Sequence, residues 1–138
     1  MLTDEVRALL DLPQTFTHLC TLMPDGAPQS TVIWHRREGD TLRIVTGPGA
    51  LKVRNIQRDP RVSVTVAHPT NGYHFVQLRG RAELLLDGPA GVAEMRLIAR
   101  RYIGERADAW VDAMGAWDAA IITVHPERVS LFAEQEPV

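Results

Sequence analysis

The strict alternation of apolar and polar residues in "RVSVTVA", residues 61–67, constrains the fold more than any other feature of the chain. Successive side chains of a β-strand point to opposite faces, so Val62, Val64 and Val66 would line one face of a half-buried strand. Five further segments are typical of strands, which predicts about six in all: residues 15–23, 29–37, 41–46, 73–86 and 119–133.

Short turn sequences separate most of these strands, as at "PDGAP" (residues 24–28) and "EGD" (residues 38–40). Strands joined by tight turns pair in antiparallel fashion. Gly80 lies inside the long segment 73–86, where a glycine predicts a bend or bulge. Helices are predicted from Thr3 to Pro13, over 50–58, from about 88 to 103 and around 107–114. The pattern predicts one mainly β domain over residues 1–138, a small antiparallel barrel with peripheral helices.

The formal net charge of −2 gives the chain no global basic field of the kind that nucleic-acid binding requires. No segment approaches the ~18 consecutive apolar residues of a membrane span. The first residues include Asp4, Glu5 and Arg7, which a signal peptide would not carry in this arrangement. Cys20 is the only cysteine, which excludes an internal disulfide and is typical of a reducing compartment. We therefore expect a cytoplasmic protein without a nucleic-acid or membrane partner.

The stretch "GPGALKVRNIQRDPRV", residues 47–62, places Lys52 in the first turn of a predicted helix. A cation there opposes the helix dipole by about 0.3–1 kcal/mol. A bound phosphate would remove that conflict, because helix N-termini bind anions and Lys52 would become a direct counter-ion. Gly47 and Gly49 would let the backbone approach a ligand closely, and Thr46 adds a hydroxyl donor. The alternative is a simple turn followed by a solvated helix face.

Four segments carry a resemblance that extends from about residue 9 to residue 132: "TLMPDGAPQSTVIW", "LRIVTGPGALKVRNIQRDPRVSVTV", "YHFVQLRGRAEL" and "RRYIG". In this order and spacing the chain resembles the pyridoxamine 5′-phosphate oxidase superfamily of FMN-binding split barrels. Within that superfamily it is most similar to the branch of enzymes that use the deazaflavin coenzyme F420. The resemblance implies a six-stranded antiparallel split β-barrel with Greek-key connections and peripheral helices. It also implies a homodimer with two cofactor sites at the interface.

The resemblance implies a set of cofactor-binding residues. Thr46, at the end of the third predicted strand, and Lys52 match the positions that hold the cofactor phosphate in relatives, with Val45, Gly47 and Arg54 beside them. The strand face that meets the ring system would carry Gln29, Thr31 and Ile33, and Phe75 and Gln77 would line the same cleft, from the same or the partner chain. Relatives often carry one or two arginines just before the lysine, where this chain has Pro48, Ala50 and Leu51.

Other candidate residues have plainer interpretations. The five histidines show no metal-ligand spacing. His35 and His74 could touch a ligand from strand faces, although an exposed strand histidine is more common. Cys20 is typical of a small buried hydrophobic residue. Arg100 and Arg101 could meet an anionic cofactor tail, but a solvated helix face is the more common arrangement.

No acid–base pair, catalytic triad or metal motif stands out, so we assign no catalytic residue and no metal ligand. A cofactor that carries the chemistry itself is compatible with this absence. The leading hypothesis is an oxidoreductase that binds F420 and transfers a hydride to or from a small organic substrate. One alternative is FMN at the same corner, with oxidase or flavin-reductase chemistry. Another is a split-barrel protein that binds a ligand or haem without turnover.

Overall fold

A computed structural model describes residues 1–115 and 117–135. Within these ranges the chain forms four α-helices, one short 3₁₀ turn and seven strands. The helices are α1 (Asp4–Asp11), α2 (Leu51–Arg58), α3 (Gly88–Ile103) and α4 (Ala107–Met114), with the 3₁₀ turn at Gly104–Arg106. The strands are β1 (Thr17–Leu22), β2 (Pro28–Ile33), β3 (Arg36–Glu38), β4 (Thr41–Thr46), β5 (Arg61–Ala67), β6 (His74–Leu85) and β7 (Ala120–Ala133).

All seven strands form one sheet in the order β2-β1-β5-β6-β7-β4-β3, and every neighbouring pair is antiparallel. The sheet curls into a split barrel, which confirms the predicted fold class. The predicted count of six strands was one too low, because the segment 29–37 divides into β2 and β3. These two strands lie at opposite ends of the sheet order although only Trp34 and His35 separate them.

The inner face of the curled sheet holds the main hydrophobic core. The predicted alternation of β5 is confirmed, since Val62, Val64 and Val66 are buried there. Helix α1 covers one end of this core with Leu9 and Leu10. Thr3 caps the helix by accepting a hydrogen bond from the backbone N–H of Val6 at 3.2 Å.

Helix α3 packs over β4 and β7 and forms a second apolar cluster there. Its Ile98 and Tyr102 meet Val45 of β4 and Ile121 of β7. The carboxylate of Glu94, only 4% exposed, accepts hydrogen bonds from Arg36 Nε at 2.6 Å and Nη2 at 2.8 Å. These bonds raise the pKa of Arg36. The bidentate pair fixes α3 against the start of β3, because both side chains are held in one relative orientation.

The predicted irregularity at Gly80 is confirmed as a shift of register between β6 and β7. Arg79 pairs with Arg128 and Gly80 pairs with Pro126, so Glu127 is the extra residue of a bulge on β7. A Cβ atom on Gly80 would lie 2.0 Å from the backbone oxygen of His125. Only glycine therefore fits this position.

The break between β2 and β3 is stabilised by a buried polar network around His35. The sequence analysis favoured an exposed strand position, but His35 is fully buried. Its backbone N–H donates to the Tyr102 hydroxyl at 3.0 Å, and its backbone oxygen accepts from Arg101 Nη1 at 2.6 Å. Side chains of α3 thus replace the strand partners that the backbone gives up when it leaves the sheet.

The His35 ring is held in one neutral tautomer. Nε2 lies 2.9 Å from the carbonyl oxygen of Leu10, so it must donate, and Nδ1 accepts from the Thr17 hydroxyl at 2.9 Å. Burial lowers the pKa of His35 from 6.5 to about 4. Protonation would turn Nδ1 into a donor facing the Thr17 hydroxyl and place a charge in the core.

In the described part of the chain, no helix is long and apolar enough to cross a membrane.

This network predicts a specific loss of stability in acid. An unfolded chain protonates His35 near pH 6.5, but the folded chain resists protonation down to about pH 4. The contribution of neutral His35 is therefore complete above pH 6.5 and is lost as the pH falls to 4, by roughly 3 kcal/mol. The variant His35→Gln keeps a hydrogen-bond donor for the Leu10 carbonyl. In thermal unfolding scans, its Tm should fall less between pH 7 and pH 4 than the Tm of the parent. His125→Gln, an exposed control, should follow the parent. Equal acid slopes for all three proteins would contradict the assignment.

Candidate functional site

The predicted phosphate corner forms where β4 ends and α2 begins. Thr46 is the last residue of β4, and a turn closed by Ala50 N–H donating to Gly47 O at 3.1 Å leads into the helix. Ala50 is the N-cap and makes no side-chain hydrogen bond. The first turn also carries no acidic residue. The first backbone N–H groups of α2 are thus left without a side-chain acceptor, which is the arrangement that binds anions.

Lys52 lies in this first turn and is half-buried. Burial lowers the pKa of its ammonium group. Among the described residues, no carboxylate lies within ion-pair distance of Lys52. Lys52 is also the only lysine in a chain with 14 arginines, a compositional signal that the sequence analysis did not use. A partly desolvated cation without a counter-ion is a candidate anion-binding group.

The loop before α2 leaves room for a ligand. No heavy atom outside the adjoining residues lies within 4 Å of the positions that a Cβ would take on Gly47 or Gly49. Arg54, predicted as a possible phosphate contact, donates instead from Nη1 to Gly49 O at 2.9 Å and ties the loop to the helix. Val45 is 3% exposed and belongs to the apolar cluster under α3. Only its backbone could therefore reach a ligand.

A chain of hydrogen bonds connects α2 to the predicted ring-facing strand. Asn55, one turn after Lys52, is fully buried and donates from Nδ2 to the Thr21 hydroxyl at 3.0 Å. That hydroxyl donates to Gln29 Oε1 at 3.4 Å. Arg58 Nη2 donates to Asn55 Oδ1 at 3.0 Å and also to the backbone oxygen of Leu22. The sequence analysis missed Asn55, because a buried amide in an amphipathic helix has no local signal.

The strand β2 places its three predicted residues together on the inner face of the sheet. Gln29, Thr31 and Ile33 pair with Thr21, Leu19 and Thr17 of β1, and all three are half-buried. The Thr31 hydroxyl is shielded from solvent, and no hydrogen-bond partner within residues 1–115 and 117–135 lies within reach of it. A buried hydroxyl without a partner is costly, so this atom has capacity for a ligand.

The residues predicted on β6 lie on the opposite face of the sheet. Phe75 and Gln77 point outward, and the Phe75 ring stacks on Phe132 with centroids 5.2 Å apart. A single chain therefore does not bring them to the same surface as Gln29 and Thr31.

Arg101, considered as a contact for an anionic tail, serves the core instead, together with its neighbour Tyr102. Both side chains hold the backbone at His35, as described above. Cys20 is half-buried and points to the outer face of β1 rather than into the core. Within residues 1–115 and 117–135, no three His, Cys, Asp or Glu side chains are placed to hold a metal ion.

The curled antiparallel sheet and its peripheral helices define a split β-barrel. The family model described as pyridoxamine 5′-phosphate oxidase matches residues 2–133. The chain belongs to that family, which includes oxidoreductases and binds flavin-type cofactors.

Solved structures share the fold over nearly the whole chain. A protein described as an F420 reductase is 29% identical, with a TM-score of 0.76 and coverage of 94% of this chain and 98% of its own. A conserved hypothetical protein from Mycobacterium tuberculosis is 23% identical, with a TM-score of 0.80 and coverage of 96% and 84%. The haem storage protein HutZ from Vibrio cholerae is 16% identical, with a TM-score of 0.69 and coverage of 95% and 94%. A search of curated proteins gives no match.

The hydrogen bonds of Asn55 predict that replacing this residue destabilises the fold more than a change on the exposed face of α2. Asn55→Ala should lower the free energy of unfolding by about 1–3 kcal/mol, because it leaves the buried Thr21 hydroxyl without its donor. Urea denaturation measures this difference. Gln57→Ala, an exposed change on the same helix, should stay within about 0.5 kcal/mol of the parent. Equal stability of the two variants would show that the bonds of Asn55 do not hold α2 in place.

Proposed function

We propose that the protein is an oxidoreductase that binds the deazaflavin F420 between two copies of the chain and transfers a hydride to or from a small organic substrate. The observation that carries this proposal is the half-buried Lys52 at the uncapped start of α2, which has no ion-pair partner among the described residues. The similarity to an F420 reductase across 94% of the chain supports it. The single cysteine favours a cytoplasmic setting.

The residues of the corner fit an anionic cofactor. Lys52, the Thr46 hydroxyl and the free N–H groups of α2 would hold a phosphate, and the open space beside Gly47 would admit it. Gln29, Thr31 and Ile33 would border the ring, with the Thr31 hydroxyl gaining the partner that it lacks. When bound, the deazaflavin supplies hydride transfer at its ring. The protein's own task is to bind it, orient it and exclude water.

FMN is the second candidate, because the corner recognises a phosphate and does not by itself distinguish the rings attached to it. FMN would give oxidase or flavin-reductase chemistry on the same scaffold. Binding of a ligand or haem without turnover is a third outcome. Residues 47–51, just before Lys52, contain no arginine, and Arg54 is engaged in its own loop. Both features favour weaker phosphate binding than in typical relatives.

Because Lys52 is the only lysine, its role can be tested by chemical labelling of its amine as well as by mutation. Fluorescence titrations with F420 and, separately, with FMN should show that Lys52→Ala weakens the preferred cofactor by roughly tenfold or more. The control Arg106→Ala removes an exposed cation elsewhere and should bind like the parent. An amine-acylating reagent should label Lys52 in the free protein, and the bound cofactor should protect it.

The outcomes of this experiment separate the candidates. Tight binding of F420 alone supports the proposed enzyme, and a preference for FMN moves the protein to the flavin branch. Unchanged affinity in Lys52→Ala, or labelling that the cofactor does not block, would show that the phosphate lies elsewhere.

A second copy of the chain is part of the proposal, because the two sets of predicted residues lie on opposite faces of the sheet. A cofactor on the inner face of β2 can meet Phe75 and Gln77 only from another chain. The outer face also exposes apolar side chains suited to an interface: Val32 is 61% exposed and Phe132 is 42% exposed. Val32, His18, Thr65, Gln77 and Ser130 form one straight row across five strands.

Sedimentation velocity should therefore find a dimer that Val32→Asp shifts toward monomer, because the change buries a charge in the interface. Leu97→Asp, on an exposed position of α3, is the matched control and should leave the dimer intact. A monomeric parent protein, or a dimer that tolerates Val32→Asp, would contradict this arrangement.

A further inference from the structure

The hydrogen bonds that join α2 to β2 all run in one direction. Arg58 donates from Nη2 to Asn55 Oδ1 at 3.0 Å. The nitrogen of the same amide, Asn55 Nδ2, donates to the Thr21 hydroxyl oxygen at 3.0 Å. That hydroxyl donates its own proton to Gln29 Oε1 at 3.4 Å. The four side chains therefore form a chain of donors that starts at Arg58 and ends on β2.

Arg58 sets the direction of this chain, because a guanidinium group has donors and no acceptor. It requires the oxygen of the Asn55 amide to face Arg58, so the nitrogen must face Thr21. The Thr21 hydroxyl accepts that bond and has a single proton to give, which it places on Gln29. Asn55 is 0% exposed and Thr21 is 1% exposed, so water does not compete for these bonds.

The end of the chain determines what Gln29 offers to a ligand. Its Oε1 is engaged by Thr21, so its amide presents the nitrogen, with its N–H donors, on the other side. Gln29 is half-buried on the inner face of β2, two residues before Thr31. This face is opposite to the outer face that we assign to contact with a second copy. A ligand on the inner face of β2 therefore meets an oriented donor.

We propose that Asn55 is a positioning residue that makes this site selective for a ligand with a hydrogen-bond acceptor, such as a ring carbonyl oxygen, opposite Gln29. This inference rests on the proposed function, because it takes the ligand to lie along Gln29, Thr31 and Ile33. Asn55 acts through Thr21 and does not touch the ligand. An amide that is already oriented loses less freedom on binding than one that must first be turned. Deazaflavin and flavin rings both carry carbonyl oxygens, so this donor suits either ring and does not distinguish them.

The variant Asn55→Asp should reverse the chain while keeping its shape. The new carboxylate accepts from both Arg58 and Thr21, so the Thr21 oxygen becomes free to accept from Gln29 Nε2, and Gln29 Oε1 turns toward the ligand. Fluorescence titrations of the full chain with F420 and with FMN should show an affinity roughly tenfold or more below that of the parent for the cofactor that the parent binds. Gln57→Glu makes the same change of amide to carboxylate on the exposed face of α2 and should bind like the parent.

A double-mutant cycle with Thr21→Val distinguishes positioning from an effect of charge or folding. Valine keeps the branched shape of threonine but has no hydroxyl, so it breaks the link between Asn55 and Gln29. Thr21→Val alone should weaken binding by roughly threefold, because the Gln29 amide is then free to turn. In that background, Asn55→Asp should cost less than about twofold more. An equal loss in both backgrounds would overturn the proposal, because the effect of Asn55→Asp would not pass through Thr21.

NMR spectra of the parent measure the orientation without any variant. The side-chain Nε2–H signals of Gln29 should shift when the cofactor binds. Unmoved signals would overturn the proposal, because the donor would then face solvent or a second copy. If Asn55→Asp does not fold, Thr21→Val and these spectra remain, and unchanged affinity in Thr21→Val would overturn the proposal.

Lys52→Ala in the same titrations separates this inference from the proposed function. A loss of affinity in Lys52→Ala with none in Asn55→Asp would leave the proposed function standing and overturn the positioning role alone. A parent protein that binds neither cofactor would overturn both.

Discussion

The two-residue connection between β2 and β3 is the constraint on which the rest of the structure depends. Three peptide steps from Ile33 to Arg36 span at most about 11 Å, yet these strands occupy opposite ends of a seven-stranded sheet. The sheet must therefore curl until its two edges meet. This closure buries the polar backbone at His35 in the interior, where it requires hydrogen-bond partners. Arg101 and Tyr102 of α3 supply them.

Closure also separates the molecule into two surfaces with different chemistry. The inner face contains the apolar core and, near α2, the buried polar chain from Asn55 through Thr21 to Gln29. Helix α3 covers the outer face at β4 and the start of β7, through Val45 and Ile121, whereas Val32, Gln77 and Arg79 are exposed on the same face. Consecutive residues of one strand therefore alternate between the inner face, which carries the candidate site near α2, and the outer face. A ligand that needs both must recruit a second chain, because no movement within a packed sheet exchanges its faces.

The fold was largely predictable because local patterns specify it: the alternation in β5, the turn at 24–28 and the glycine at the bulge are all short-range signals. The break at Trp34 and His35 was not predictable, since the alternation of Val32 and Trp34 continues through it without glycine or proline. Its cause lies 66 residues further along the chain, at Arg101. The corner at Lys52 was predicted from the conflict between a cation and a helix dipole. Asn55 was missed because its partner Thr21 belongs to a strand far away in the sequence. The placement of the predicted residues of β2 and β6 on opposite faces was also missed, because it depends on how the sheet curls.

The distribution of cations in the chain bears on how strongly the corner can hold a phosphate. Arginine occupies the positions where geometry fixes a planar donor set, as at Arg36 and Arg101, and Arg54 is bonded to its own loop. The single lysine stands where a compact charge on a mobile stem can follow a ligand. Burial lowers the pKa of Lys52, and a bound phosphate would raise it again, so binding and protonation favour each other. With no arginine in the loop immediately before Lys52, a phosphate here would depend mainly on the free N–H groups of α2 and on this one ammonium group.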